Sequence, residues 1–208
     1  MADFHWTELA KVGVEAGGFA LAILTAWIGL NKAHRDRREA LQQAKRDLQW
    51  RQTVEAQSSL RRIANDPQAR NAMTMLDWNA RRFEVREGLR EQITWNDMRN
   101  ALRTESGLFT PKEVFVRESF DALFDQLQMI QQQIANKMFE PSHVIYPLGY
   151  YSRRMKHPRN WPAISAYLHK YDYPLAMTLI EGTFKQSDSA ADVDIEAADA
   201  ALRMEEHE

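Results

Sequence analysis

Thr110 to Met138 reads TPKEVFVRESFDALFDQLQMIQQQIANKM. A threonine, then proline at the first helical position and glutamate at the third, makes a complete helix start. The threonine oxygen accepts from a free backbone N–H, while the carboxylate reaches back to the capping residue. From there Val114, Phe115, Phe120, Leu123, Phe124, Leu127, Ile130, Ile134 and Met138 keep largely to helical spacing across about seven turns. The stretch predicts a central core helix, around which the remaining elements are placed. Thr94 and Asp97, ahead of Met98, Ala101 and Leu102, predict a short capped helix. Asn65-Asp66-Pro67 predicts a break, with Asp66 capping a helix that has Pro67 in its first turn. Ala69, Ala72, Met73, Leu76 and Ala80 continue at helical spacing, and Gly88 reads as the stop. A cluster of short helices is expected from Ser142 to Phe184, punctuated by Gly149, Pro158, Pro162 and Pro174. No run shows sustained two-residue alternation, which argues against a sheet. The expectation is an all-α fold.

Composition limits what such a fold can do. With 208 residues the chain suits one modest domain with an appendage. There is no cysteine, which excludes a disulfide framework, a thiolate metal site and a thiol nucleophile. A formal net charge of -2 argues against a dedicated nucleic-acid binder, so no nucleic-acid partner is expected. Gly-rich phosphate loops and a Gly-x-Ser-x-Gly elbow are missing, and the six histidines show no pair at metal-ligand spacing. Asp121 and Asp125 form a helical pair, read most simply as a solvated face beside the apolar stripe. No catalytic residue, cofactor or metal site is assigned.

Val12 to Leu30, VGVEAGGFALAILTAWIGL, carries Glu15 as its only charge. As a helix it would extend roughly 28 Å, close to the hydrocarbon thickness of a bilayer, and Trp6 and Trp27 flank it. Lys32, Arg35, Arg37 and Arg38 follow on the C-terminal side. By the positive-inside rule the chain is expected in the inner (cell) membrane as a single pass, with its N-terminus outside and the rest cytoplasmic. On a helical wheel Glu15, Gly18, Ala22, Thr25, Ala26 and Gly29 share one arc, and all but Glu15 are small. Such a stripe suits packing against another transmembrane helix. Glu15 itself reads either as a headgroup-seeking carboxylate or as a buried polar contact in an assembly. The four cations are candidates for contact with anionic headgroups, or they serve only to set topology.

The expected organisation is an anchor at 1–31, a juxtamembrane helical stalk at 32–66, a cytoplasmic helical domain at 67–185 and an acidic tail at 186–208. Leu41, Ala44 and Leu48 begin a heptad-like seam that Arg51 and Glu55 interrupt. The tail holds eight acids against Arg203 alone and is expected to be disordered or weakly helical. All six tyrosines fall between Tyr146 and Tyr173, interleaved with cations. Tyr150, Tyr151, Arg153, Arg154, Trp161, Tyr167 and Tyr171 form a candidate partner surface. The alternative is core packing, since Ile164, Leu168, Leu175 and Leu179 continue the apolar spacing.

Taken with the anchor and stalk, RIANDPQARNAM at Arg62 to Met73 and DALFDQLQMIQQQIANKMF at Asp121 to Phe139 carry a resemblance. The layout resembles a widespread group of bacterial proteins with one N-terminal transmembrane helix and a helical cytoplasmic domain. That group has no agreed reaction, so the resemblance implies a class of protein and no catalytic residue. The expected function is a membrane-anchored interaction or scaffold protein that contacts membrane lipid and associates with itself as a homo-oligomer or with another membrane protein. An oligomeric membrane-permeabilising effector and a membrane-tethered enzyme are the alternatives.

Overall fold

Side-chain caps set where three of the helices begin. The structure is a computed structural model that describes the backbone of residues 6–186 and the side chains of residues 27 and 31–186. Helix α1 runs over Trp6–Asn65. Asp66 then accepts from the N–H groups of Gln68 at 2.9 Å and Ala69 at 3.2 Å, which starts α2, Pro67–Asp77. Two strands follow, β1 (Ala80–Arg86) and β2 (Leu89–Thr94), and then the short α3, Trp95–Ala101. Thr94 and Asp97 close a capping box on α3, and Thr110 and Glu113 close another on α4, Pro111–Ala135. Helices α5 (Ser142–Lys156), α6 (Trp161–Lys170) and α7 (residues 174–186) complete the described chain. The protein is mostly helical, as the sequence predicts.

The expectation of no sheet is corrected by an antiparallel hairpin in which Ala80 pairs with Thr94 and Arg86 with Leu89. Gly88 turns this hairpin, at φ +75°, and does not end a helix. The preceding helix stops at Asp77, so Ala80 belongs to a strand. Phe83 and Val85 alternate inward from β1 and Ile93 from β2, while the intervening positions are mainly charged and exposed. Burial of those three side chains against the helices supplies the stability that an isolated hairpin lacks.

The chain divides into two compact units, Met1–Trp50 and Arg51–Glu208. In the first, every side chain from residue 31 to residue 50 is exposed. Arg35 meets Glu39 one turn on at 3.1 Å, a solvated pair that contributes little. In the second unit α4 is the central element, as the sequence predicts. Val116, Phe120, Leu123, Phe124, Leu127 and Ile130 are buried along it. The helix ends at Ala135, so Met138 lies beyond it and is exposed, whereas Phe139 is buried. Ala69 and Ala72 let α2 approach closely, and Ile164, Leu168, Leu179 and Ile180 complete the core from α6 and α7. The last turns of α1 belong to this unit: Ala56, Ser59 and Ile63 are buried, and Ser59 donates to Gln133 of α4 at 2.8 Å.

Among the described residues no helix is long and apolar enough to cross a membrane. The side chains on which the single-pass expectation rests, including Glu15, Gly18, Ala22, Thr25, Ala26 and Gly29, lie outside the described residues, as does the acidic tail from residue 187.

Candidate ligand-binding cleft

A helix C-terminus leaves carbonyls without intrahelical partners, and α2 ends inside the folded unit. Arg154 of α5 answers this by donating from Nε to the Leu76 carbonyl at 2.8 Å and from Nη2 to the Asp77 carbonyl at 2.9 Å. The cation also favours the negative end of the helix dipole. Beside it the Tyr151 hydroxyl donates to Asp77 Oδ2 at 3.4 Å. Burial, and then the Asp77 carboxylate, push the Tyr151 hydroxyl up to about 12. Tyr150 is shifted upward by the same causes.

Arg154 fixes a second ring. Its guanidinium lies 5.4 Å from the Trp95 ring centroid, and the His157 ring stands 6.0 Å from the same indole. Asn160, buried at the start of α6, donates to the Arg154 carbonyl at 3.1 Å. The Trp95 backbone N–H donates to the Asn79 carbonyl at 3.3 Å across the base of the hairpin. Trp95 is therefore held by α5, by the α5–α6 connector and by the segment leading into β1.

This frame borders a cleft of about 470 Å³, lined by Asn79, Thr94, Trp95, Asn96, Arg99 and Arg159. Arg99 lies four residues beyond Trp95 on the same face of α3, and Arg159 projects from the α5–α6 connector. The cleft thus holds two cations, and no carboxylate lines it. The neighbouring Asp97 is engaged elsewhere, by Thr94 and by Lys112 Nζ at 3.2 Å. Partial desolvation pushes the Asp97 carboxyl upward, but hydrogen bonds from Thr94 and Lys112 outweigh it and hold the group below its ordinary range.

The polar bookkeeping singles this region out. Among the described residues the buried side-chain atoms without a hydrogen-bond partner are Asp77 Oδ1, Trp95 Nε1, Arg99 Nε and Asn160 Oδ1. Each belongs to the cleft or to the frame around it. Buried polar groups are normally paired, so these four atoms stand out among the described side chains.

The aromatic stretch that the sequence presents as a single surface is divided among three places. Tyr150, Tyr151 and Arg154 belong to the frame of the cleft. Tyr167 is buried, and its hydroxyl donates to Asp121 Oδ1 at 2.7 Å, with Tyr173 donating to the same oxygen at 3.2 Å. Asp121 is thus a buttress between α4 and α6, a correction to its reading as a solvated face. Asp125 is exposed, and partial desolvation with the Asp121 charge raises its carboxyl above the usual range. Arg117 lies 4.3 Å from the Phe109 ring, 4.8 Å from Tyr167 and 5.0 Å from Tyr171. Its Nη1 donates to the carbonyls of Ala101 and Arg103 at 2.9 and 3.2 Å, so this cation is already committed inside the protein. Trp161 is half-buried and meets Lys156 Nζ at 4.0 Å, and Arg153 is exposed. Lys32, Arg35, Arg37 and Arg38 are all exposed.

Trp95 and Arg99 escaped the sequence reading because they sit in a separate segment from the aromatic stretch. The only local signal was the capping box that starts α3. Among the described residues no cluster of three or more His, Asp or Glu side chains could hold a metal ion. No protein-family model matches this chain, and no curated protein and no solved structure is similar to it at a level that carries inference.

Proposed function

We propose that this chain is a membrane-anchored helical interaction protein of the inner membrane, associating through α1 with a second copy or with another membrane protein. The observation that carries the reading is the state of residues 31–50. Every side chain there is exposed, with Leu41, Leu48 and Trp50 at 64, 58 and 70 %. Helices in proteins owe most of their stability to packing of an apolar face, and between residues 31 and 50 this one leaves its apolar side chains exposed. Leu41, Ala44 and Leu48 fall on one side of the helix, in the pattern that pairs helices.

The uncharged run of Ala16 to Leu30 and the cations from Lys32 to Arg38 support a single crossing with the N-terminus outside. In that arrangement the unit from Arg51 onward is cytoplasmic. The Gly18, Ala22, Thr25 and Gly29 stripe offers a separate helix-pairing surface in the bilayer.

Because the chain has no cysteine, single replacements report cleanly. Leu41→Cys and Leu48→Cys should each form disulfide-linked dimers in native membranes, and Gln43→Cys, on the opposite side of the helix, should not. Adding Gly18→Leu and Ala22→Leu should abolish the crosslink. Equal crosslinking at all three positions, or release of the intact protein by alkaline washing, would overturn the proposal.

A further inference from the structure

The geometry points to a second, independent property: the cleft between α3 and the α5–α6 connector binds a phosphate monoester, gripped by the guanidinium groups of Arg99 and Arg159 beside the Trp95 ring. Three observations converge. The lining carries two guanidinium groups and no carboxylate, and among the described residues neither arginine takes part in an ion pair. Arg159 is exposed on its connector and Arg99 is half-buried on α3, so neither cation is shut away in the core. The volume, about 470 Å³, lies within the range of pockets that enclose small organic ligands.

Other basic places in the same unit lack this combination. Arg117 and Arg154 spend their N–H groups on backbone carbonyls, and Arg103 pairs with Glu113. A larger groove beside β1 holds Arg70, Arg81, Arg82 and Arg90, but Glu84 lies within it and pairs with Arg90 at 3.7 Å. The Trp95 cleft brings two cations together with no carboxylate in its lining.

The shape of the donor set selects the anion. Arg99 and Arg159 approach from α3 and from a connector some sixty residues away in sequence. A planar carboxylate fills one guanidinium fork, whereas a phosphate monoester offers three tetrahedral oxygens and a charge near -2 at neutral pH. The clamped indole gives the organic part of the ligand an apolar wall. The monoester could come from a soluble metabolite or from a lipid headgroup, and the chemistry at the cleft is the same.

Titration calorimetry on the full chain in detergent, with phenyl phosphate as probe, tests the site. Saturable binding of one phenyl phosphate per chain is expected, with benzoate at least tenfold weaker. Arg99→Gln and Arg159→Gln should each weaken phenyl phosphate by tenfold or more. Arg86→Gln, in the hairpin and outside the cleft, should leave binding unchanged. Arg159 is exposed on a connector, so its replacement should not move the unfolding transition, and lost binding there cannot be ascribed to misfolding. Vesicles of phosphatidylcholine with and without phosphatidic acid separate the sources. A preference for phenyl phosphate assigns a soluble ligand, and Arg159-dependent binding confined to phosphatidic acid assigns a headgroup. Absence of saturable binding to both probes, binding that survives both arginine replacements, or equal affinity for benzoate would overturn the assignment. None of these readouts depends on self-association through α1.

Discussion

Replacing Asp121 by alanine should destabilise the unit formed from Arg51 onward by about 2–4 kcal/mol. The figure rests on the cost of stranding buried hydroxyls and of losing hydrogen bonds to a charged acceptor. Two tyrosine hydroxyls converge on Asp121 Oδ1, from Tyr167 at 2.7 Å and Tyr173 at 3.2 Å. Tyr167 is 1 % exposed, so its hydroxyl has no route to water once the carboxylate is gone. That loss alone is worth roughly 1–3 kcal/mol. Tyr173 is half-buried and recovers part of its loss by hydration, so it adds about 1 kcal/mol or less. The better helix propensity of alanine returns only a few tenths of a kcal/mol. Asp121→Asn keeps an acceptor and should cost about half as much, and Tyr167→Phe, which removes the stranded hydroxyl itself, about 1 kcal/mol. Denaturant unfolding of the full chain, followed by near-ultraviolet circular dichroism of the packed tyrosines, measures all three. A double-mutant cycle between Asp121→Ala and Tyr167→Phe should give a coupling above 1 kcal/mol. If Asp121→Ala shifts stability by less than 0.5 kcal/mol, on the order of an ordinary surface replacement, the buttress is not a structural element.

Alkaline pH should attack this cluster and the Tyr151 contact with Asp77. Burial, reinforced by the carboxylate charges, raises the hydroxyls of Tyr151, Tyr167 and Tyr173 above the usual tyrosine value of 10. Above pH 10 the unfolded chain has lost protons that the folded chain keeps, so this contribution is complete below pH 10 and is lost as pH rises toward 12. Each of the three then lowers stability by up to about 1.4 kcal/mol per pH unit. Urea midpoints measured at pH 9, 10 and 11 should fall steeply only between the last two, and a flat profile would contradict the shifts. Gly88 and Gly182 should respond to alanine with opposite signs, because an added Cβ meets nothing within 4 Å at either site. Gly88 has φ +75° and should lose about 1 kcal/mol. Gly182 lies within α7 and should gain roughly 0.5–1 kcal/mol, and thermal unfolding of the two variants checks both signs.

The elements legible in the sequence were those whose signals are local. Thr110 with Glu113, Thr94 with Asp97, and Asp66 before Pro67 each announce a helix start within four residues, and all three caps form. The hairpin was hidden because its alternation buries only Phe83, Val85 and Ile93, too few to stand out among seven charged neighbours. Ala80 also fell by chance on the helical phase of Ala69, Ala72, Met73 and Leu76. Gly88 was read as a helix stop because a positive φ serves helix ends and hairpin turns alike. Asp121 looked like a surface acid because the tyrosines that claim it lie some fifty residues onward, beyond any local periodicity.

Arg117 and Arg99 look the same in the sequence, each one cation on a helix, and only the long-range environment gives them opposite roles. Arg117 meets three aromatic rings and two carbonyls and is committed within the fold. Arg99 bonds its neighbour Asn96 and leaves Nε without an acceptor. A fold can tolerate such an unpaired donor when the surrounding frame is over-determined. Here Arg154 ties α5 to α2 through two carbonyls, and Lys112 ties α4 to Gln92 of β2 and to Asp97 of α3. Lys112 thereby fixes α3 to α4, and Arg154 meets the Trp95 ring from α5. Two cations held by a bonded frame, with no carboxylate in the lining between them, separate the proposed site from a surface that merely happens to be basic.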